Sequence, residues 1–497
     1  RLFRLSRISG DNRLLALPHD GRVALLPFAR RGGLKPNQAP RVLSAAPSPA
    51  SEGVLAASAD FDALFPLLPQ RPDDGDGSFL QAWPIQEMEA AIGLDDADRL
   101  RIASSLRFRS GTLEARQAET VGEPDSLANA VLLPGAIAAG ADRSTLAGIS
   151  EADFLASMRT GWAWRTQFAS ADVRALHEEG PALYAKWLAT FAKFTGTGYA
   201  FALFPADGEK RCPWAFCAMT DDAASLLEAI PSLFADACRD LVGFVQYVAK
   251  RGGGKGHLFD EDDSAMDFFR AEPVGEREVA GVRVRTIALR LTNPDTGHVF
   301  TLATFDAAAF DSSLLLANLA DRALAGVVAD LVSGKTARAP LAEMPAFREA
   351  YGATPPAGAA GGFVQLVPAA QTFLRALKAR GEELEAEKKA AGETRPEEGG
   401  AEADAEAEDA DDADEHPFFD DDMLSFLEAT DLPACPIAMT QRHDDASGRT
   451  ETVLVFPVAD LRVLPERLVP LFQDDDAPSA GDDPFFLDDG DDGEGDW

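Results

Sequence analysis

The chain has 497 residues, a hydrophobic fraction of 46% and a formal net charge of −36 at pH 7. A chain of this length can bury one large core or two to three ordinary ones, and its composition is that of a globular protein. Its acidity disfavours nucleic-acid binding, because like charges repel. No apolar run approaches the roughly 18 residues of a membrane-spanning helix, so the chain as given is not expected to be transmembrane.

The negative charge is concentrated in the last quarter of the chain. Residues 381–497 contain 37 acidic and 7 basic residues, which leaves 45 acidic and 39 basic residues in 1–380. The first three quarters are therefore close to electrically balanced, whereas the last quarter carries long acidic runs.

The first 150 residues are predicted to form an N-terminal α+β region. "LLALPHDGRVALLPF", residues 14–28, has two apolar runs around Asp20-Gly21, and Asp-Gly is a strong signal for a hairpin turn. "VLAASADFDALFPLL", residues 54–68, is typical of a strand that leads into a helix, with Asp60 at the junction.

The central region, residues 151–380, is predicted to contain a helical block followed by repeated hairpin-helix units. Gly180-Pro181 divides the block into two helices, because proline favours the first turn of a helix. Strand, turn, strand and helix follow over residues 198–236, and a second long hairpin begins at Val282.

The last part of the chain is predicted to alternate between disorder and order. Residues 381–419 form an acidic insert with few large apolar side chains, so they cannot bury a core and should be disordered. Residues 420–473 contain a further hairpin-helix unit that completes the fold. Residues 474–497 form an acidic disordered tail.

Five strand-to-helix junctions resemble one another in sequence. Four of the five carry an acid at the junction: Asp60, Asp221, Asp321 and Asp460. The long, irregular intervals between the units exclude a solenoid, which needs a short fixed period. The pattern predicts an α+β fold with mainly antiparallel sheets built from hairpins, each closed by a helix packed on one face.

One long stretch carries a family resemblance. "SLLLANLADRALAGVVADLVSGKTARAPLAEMPAFREAYGATPPAGAAGGFVQLVPA", residues 313–369, resembles a family of uncharacterised bacterial exported proteins that share a domain of unknown function. The resemblance rests on the step from "LLLA" into a helix and on the helix start at Leu341, Pro345 and Phe347, and it is clearest over residues 278–377. It implies an extracytoplasmic setting, in the periplasm or cell envelope, and no known activity.

Motifs for common chemistries are missing or incomplete in the sequence. "SGKT", residues 333–336, has the end of a phosphate loop, but Ala329 stands where the first glycine is required. The six histidines lack zinc-site spacing, the four cysteines are interpreted as plain thiols, and no Gly-x-Ser-x-Gly elbow occurs. The basic Gly-rich stretch 250–257 is interpreted as a flexible loop, with contact to a polyanion or a lipid headgroup as the alternative. We therefore predict no catalytic residue, no cofactor and no metal.

Two similar aromatic segments lie in the acidic last quarter. "HPFFDDDM" contains Phe418 and Phe419, and "DPFFLDDG" contains Phe485 and Phe486. Paired phenylalanines among acids are typical of short peptides that dock into a groove on a partner protein. These four residues and Trp497 are the candidate partner-binding residues. The first pair also fits the start of the returning fold, and the second pair also fits docking onto the chain's own fold.

The sequence leaves three functional hypotheses open. The first is a non-enzymatic cell-envelope scaffold or binding protein that binds a protein partner through its acidic insert and tail. The second is an enzyme with an acidic site at the sheet edge, which requires acids such as Asp60, Asp221 and Asp321 to converge in one pocket. The third is a chaperone-like protein that binds apolar cargo in a sheet-and-helix groove, which requires an apolar cavity.

Overall fold

The computed structural model describes residues 3–9, 12–19, 22–29, 55–64, 84–95, 98–124, 126–143, 146, 148–166, 180–206, 212–251, 269–292, 299–334, 338–393 and 432–468. The strands among them form one sheet of 13 strands and a separate sheet of 3 strands. Neighbouring strands are antiparallel in both sheets. The predicted α+β class with antiparallel sheets is therefore confirmed.

The small sheet contains the predicted N-terminal hairpin. Its strands are β1 (Phe3–Ser9), β2 (Asn12–His19) and β3 (Arg22–Ala29), and β2 lies in the middle. His19 pairs with Arg22 where β2 and β3 meet, as expected for a hairpin closed by an Asp-Gly turn.

The large sheet takes its strands from described residues between 55 and 457. These strands are β4 (Leu55–Asp60), β5 (Ile85–Leu94), β6 (Arg99–Phe108), β7 (Ala138–Arg143), β8 (Gly198–Leu203), β9 (Trp214–Met219), β10 (Phe269–Val279), β11 (Val282–Thr292), β12 (Val299–Phe310), β13 (Ser313–Asn318), β14 (Ala360–Gln365), β15 (Pro436–Asp444) and β16 (Arg449–Pro457).

Helices connect many of these strands. Within the described ranges the α-helices are α1 (Phe61–Leu64), α2 (Leu113–Thr120), α3 (Glu151–Thr166), α4 (Gly180–Thr195), α5 (Ala223–Arg251), α6 (Asp321–Val332), α7 (Pro345–Tyr351), α8 (Leu366–Glu393) and α9 (Val458–Leu468). Two 3-10 helices, Ala128–Val131 and Leu341–Glu343, come before β7 and α7.

Helix ends coincide with capping signals in the sequence. Pro181 lies in the first turn of α4, as predicted. Helix α7 begins at Pro345 and is capped by Gly352, whose φ of 71° is in the left-handed region that favours glycine. Gly334, just after α6, likewise has a φ of 56°. Proline and glycine therefore fix where these helices begin and end.

The two halves of the large sheet arrange their strands in equivalent ways on either side of its central pair. The order is β10-β11-β12-β13-β9-β8-β7-β14-β15-β16-β6-β5-β4. Outward from the central pair β7·β14, each side begins with three consecutive strands, β7-β8-β9 on one side and β14-β15-β16 on the other. Next come β13-β12-β11 on the first side and β6-β5-β4 on the second. The large sheet therefore has a pseudo-two-fold arrangement about β7·β14, with β10 as an extra edge strand.

The pairing registers obey the same two-fold relation. The equivalent pairs in the two inner hairpins are Ala200–Cys217 with Ala438–Val455, and Phe201–Phe216 with Met439–Leu454. Toward the centre, Gly140 pairs with Phe201 in one half, and Gly362 pairs with Met439 in the other. Gly140 and Gly362 pair with each other. Each residue of β7 and β8 therefore has an identifiable equivalent in β14 and β15.

The two faces of the large sheet are packed differently. One face, which carries Ala200, Cys217 and Leu315, packs against α6, α7 and the 3-10 helix Ala128–Val131 to form the largest buried cluster. We call it the covered face. Its burial supplies most of the apolar contact that holds the sheet together.

The opposite face, which we call the groove face, is covered only in part by described residues. Phe216 and Leu316 on this face pack with Phe194 of α4 and with Leu227 and Ile230 of α5. At the other side of the sheet, α9 packs against β16 and β6. The four central strands β8, β7, β14 and β15 lie between these helices.

The predicted regions share one sheet. Residues 1–150 supply β4 to β7, residues 151–380 supply β8 to β14, and residues 420–473 supply β15 and β16. Helix α8 continues past Gly381, where the acidic insert was predicted to begin, and ends at Glu393. The remainder of the predicted insert and the predicted tail lie outside the described residues.

Candidate functional site

An aspartate caps the first turn of both α1 and α5. Oδ1 of Asp60 accepts a hydrogen bond from the amide of Asp62 at 2.9 Å. At α5 the capping residue is Asp222 rather than Asp221, because Oδ1 of Asp222 accepts from the amide of Ser225 at 3.0 Å. A carboxylate at this position satisfies an amide that has no partner within the helix.

The junction acids do not converge. Asp60 and Asp221 lie at the same end of the strands of the large sheet. Strands β4 and β9 are eight strand spacings apart, however, which corresponds to about 38 Å across the sheet. Asp321 and Asp460 lie at the opposite end of the strands, because β13 runs antiparallel to β9 and β16 runs antiparallel to β4. Asp321 forms an ion pair with Arg277 at 2.8 Å. The convergence that the enzyme hypothesis requires is therefore not found among these residues.

A groove lies on the groove face, at the pseudo-two-fold axis. Its volume is about 160 Å³ and its lining comes from the four central strands. Gly140 and Gly362 form its floor. A Cβ atom on Gly140 would lie 2.5 Å from Cε1 of Phe201, so the glycine allows the Phe201 ring to lie against the backbone of β7. The Phe201 ring lies over Gly140, and the missing side chain of Gly362 leaves the depression beside that ring.

Two large apolar side chains flank this floor. Phe201 is 42% exposed and Met439 is 40% exposed, although both lie on central strands of the sheet. They are equivalent residues under the pseudo-two-fold relation. Exposed large apolar side chains on both sides of a depression at the centre of a sheet mark a candidate binding surface.

Asp142 is the acid of the groove. It follows Ala141 on β7 and lines the groove together with Tyr199, its partner on β8. The carboxylate accepts a hydrogen bond from the amide of Gly122 at 3.4 Å. Burial raises the pKa of Asp142 to about 7, although hydrogen bonds from the amides of Gly122 and Arg143 and the charge of Arg143 lower it. The carboxyl is therefore close to half ionised at neutral pH.

Tyr199 and Gln441 complete the polar end of the groove. The Tyr199 ring stacks on Phe216 at a centroid distance of 5.9 Å. Burial, and to a smaller extent the charge of Asp142, raises the pKa of Tyr199 to about 12, so its hydroxyl stays protonated at neutral pH. The hydroxyl can donate or accept a hydrogen bond, and the Gln441 amide can do both.

The pseudo-two-fold relation gives each of these polar residues an equivalent position in the other half of the sheet. Asp142 pairs with Tyr199 in one half, and the equivalent pair in the other half is Val364 with Ile437. The equivalent of Gln441 is Leu203. All six side chains are half-buried on the groove face. The fold therefore accepts aliphatic residues at these positions, and the polar residues at one end of the groove are not required for packing.

These groove residues are not predicted by any pattern in the sequence. Asp142 lies in "AIAAGADR", where alanine and glycine give no strand periodicity, and Tyr199 reads as part of an apolar strand. The one sequence feature that marks Asp142 is that it is a single acid in a run of alanine and glycine. Its place in a groove becomes visible only in the structure, where β14, far along the chain, pairs with β7.

The predicted partner-binding residues Phe418, Phe419, Phe485, Phe486 and Trp497 lie outside the described residues, so their role stays a prediction. Within the described ranges, no group of three or more His, Cys, Asp or Glu is placed to hold a metal ion. Cys217 is fully buried and burial raises the pKa of its thiol to about 12, which fits the interpretation as a plain thiol.

Comparisons with known proteins add no relative. No family model matches the chain, and neither the curated proteins nor the solved structures give a significant match. The resemblance to an exported-protein family therefore stays a prediction. No helix in the described part of the chain is long and apolar enough to cross a membrane.

Proposed function

We propose that this protein is a non-enzymatic binding protein that holds a small ligand in the groove at the pseudo-two-fold axis. The observation that carries the proposal is the difference between equivalent positions. Asp142, Tyr199 and Gln441 occupy positions that the other half fills with aliphatic residues. Polar groups at half-buried positions cost free energy of folding, so their presence favours a role in binding.

The shape and composition of the groove agree with this role. Glycines form the floor, Phe201 and Met439 form apolar walls, and the polar groups lie at one end. Binding sites for small molecules commonly combine an apolar lining with a few convergent polar groups. This proposal is related to the third hypothesis, and the apolar walls of the groove support it. A volume of about 160 Å³ suits a ring-sized group rather than a whole protein chain.

Hairpin-helix units on either side of the central strands form the scaffold of the groove. Hairpin β8–β9 leads into α5, hairpin β15–β16 leads into α9, and hairpin β12–β13 leads into α6. We infer that these hairpin-helix units brace the central strands from both sides, so that the groove is preformed. A preformed site binds without the entropic cost of ordering its residues.

The proposal predicts that the walls of the groove are needed for binding. We expect the neutral probe 4-fluorobenzyl alcohol to bind the intact protein, as followed by ¹⁹F NMR titration. Replacing Phe201→Ala together with Met439→Ala should weaken this binding at least tenfold, about 1.4 kcal/mol, because the ring loses its apolar contacts.

A matched control distinguishes binding in the groove from binding to exposed apolar side chains elsewhere on the surface. Phe373 and Leu94 are 58% and 54% exposed and do not line the groove. Phe373→Ala together with Leu94→Ala should leave probe binding unchanged. Absence of binding to the intact protein, or equal losses in the two double variants, would contradict the proposed function.

A further inference from the structure

The charges around Asp142 indicate what kind of ligand the polar end accepts. Among the described residues, none forms a salt bridge with Asp142. The nearest opposite charge is that of Arg143, whose Nε donates to the carbonyl oxygen of Glu123 at 3.1 Å. The ionised carboxylate therefore lines the groove with hydrogen bonds from backbone amides but without an ion-pair partner among the described residues, so a cationic ligand would stabilise its charged form.

The aromatic rings beside Asp142 favour the same kind of partner. Tyr199 and Phe201 lie on the groove face of β8, two residues apart, so their side chains are neighbours. The faces of aromatic rings attract cations, and the amide oxygen of Gln441 adds a hydrogen-bond acceptor. A carboxylate, two aromatic rings and an amide oxygen are the groups that bind an ammonium ion.

We propose that the groove binds a small primary amine in its protonated form, with the ammonium group at Asp142 and a ring-sized apolar group between Phe201 and Met439. The inference rests on the proposed function and names the class of ligand. Charge complementarity supplies the specificity, because a neutral ligand of the same shape leaves Asp142 unpaired. The available volume fits one six-membered ring beside the ammonium group.

Binding of an amine should be coupled to ionisation of Asp142. Among the described residues, Tyr199 and Arg143 interact electrostatically with this carboxyl, and Glu123 follows Gly122, whose amide donates to it. Tyr199 stays protonated between pH 6 and 8. Burial, with the charge of Glu343 second, raises the pKa of Glu123, against the charge of Arg143. A change in affinity that depends on Asp142 must therefore be separated from one that depends on Glu123.

The test compares two probes of the same shape. 4-Fluorobenzylamine carries an ammonium group at neutral pH, whereas 4-fluorobenzyl alcohol is neutral, and both are titrated against the full chain by ¹⁹F NMR at pH 6 and pH 8. The amine should bind about tenfold more tightly at pH 8 than at pH 6, because the ionised fraction of a carboxyl with a pKa of about 7 rises by that factor. The affinity of the alcohol should not rise.

Variants of single residues complete the test. Asp142→Asn should weaken amine binding at pH 8 at least tenfold and remove its pH dependence, while alcohol binding remains. Glu123→Gln should leave both properties of the amine unchanged. Equal affinities of the two probes, or a pH dependence that persists in Asp142→Asn, would overturn the inference and leave the proposed function standing. Failure of both probes to bind would overturn the proposed function as well.

Discussion

Replacing Asp142→Asn is expected to raise the free energy of unfolding by about 2–4 kcal/mol at pH 8 and to leave it nearly unchanged at pH 4. In the unfolded chain this carboxyl loses its proton near the ordinary aspartate pKa of 3.8, whereas in the folded protein burial raises that pKa to about 7. Between these values the folded state holds a proton that the unfolded state lacks. The stability of the wild-type protein therefore falls as the pH rises from about 4 to 7. Asparagine mimics the protonated carboxyl and avoids this loss.

Urea denaturation at the two pH values measures this effect. Glu349 is an exposed carboxylate on α7 and supplies the control, since Glu349→Gln should change the stability by less than about 0.5 kcal/mol at either pH. A destabilised Asp142→Asn protein at pH 8 would show that the ionised carboxylate is needed for folding. The proposed role of Asp142 in binding would then lose its basis.

Replacing Phe347→Ala is expected to lower the free energy of unfolding by about 3–5 kcal/mol. The side chain is only 1% exposed, and its ring lies 5.9 Å from that of Tyr351 and 6.2 Å from that of Phe363. It also packs against Gly361, where a Cβ atom would lie 3.2 Å from Cζ of Phe347. Truncation therefore leaves a cavity beneath β14, on the covered face of the central pair.

The same substitution at an exposed phenylalanine shows how much of this cost is due to burial. Phe373 on α8 is 58% exposed, and Phe373→Ala should change the stability by less than about 0.5 kcal/mol. Chemical denaturation compares both variants with the wild-type protein. A loss below about 1 kcal/mol for Phe347→Ala would contradict the packing described for α7.

Local signals in the sequence predicted several elements of this fold. Asp-Gly at residues 20–21 predicted the β2–β3 hairpin, and Gly180-Pro181 predicted the start of α4. These features depend on a few neighbouring residues with restricted or unusual backbone angles, so a single sequence contains the necessary information. The antiparallel α+β class followed from the repeated hairpin pattern.

The central pairings could not be predicted in this way. Strand β7 pairs with β14 through "AAGADR" and "AGGFVQ", which contain alanine and glycine at positions where strands usually carry branched residues. Their pairing is specified by the packing of distant elements rather than by local propensity. Because the groove is formed by this pair, its residues were also missed. The junction acids were visible in the sequence, and two of them have structural roles, Asp60 as a helix cap and Asp321 as an ion-pair partner.

We propose that the polar residues of the groove serve ligand binding rather than the stability of the fold. This claim is tested most directly by replacing Asp142→Val, Tyr199→Ile and Gln441→Leu together, so that each position carries its equivalent from the other half. We predict that the free energy of unfolding at pH 8 stays within about 1 kcal/mol of the wild-type value or rises, because buried polar groups are exchanged for aliphatic ones that the fold already accepts. We also predict that binding of 4-fluorobenzylamine falls at least tenfold. A variant that is destabilised by more than about 2 kcal/mol, or that binds the amine as the wild-type protein does, would contradict the claim.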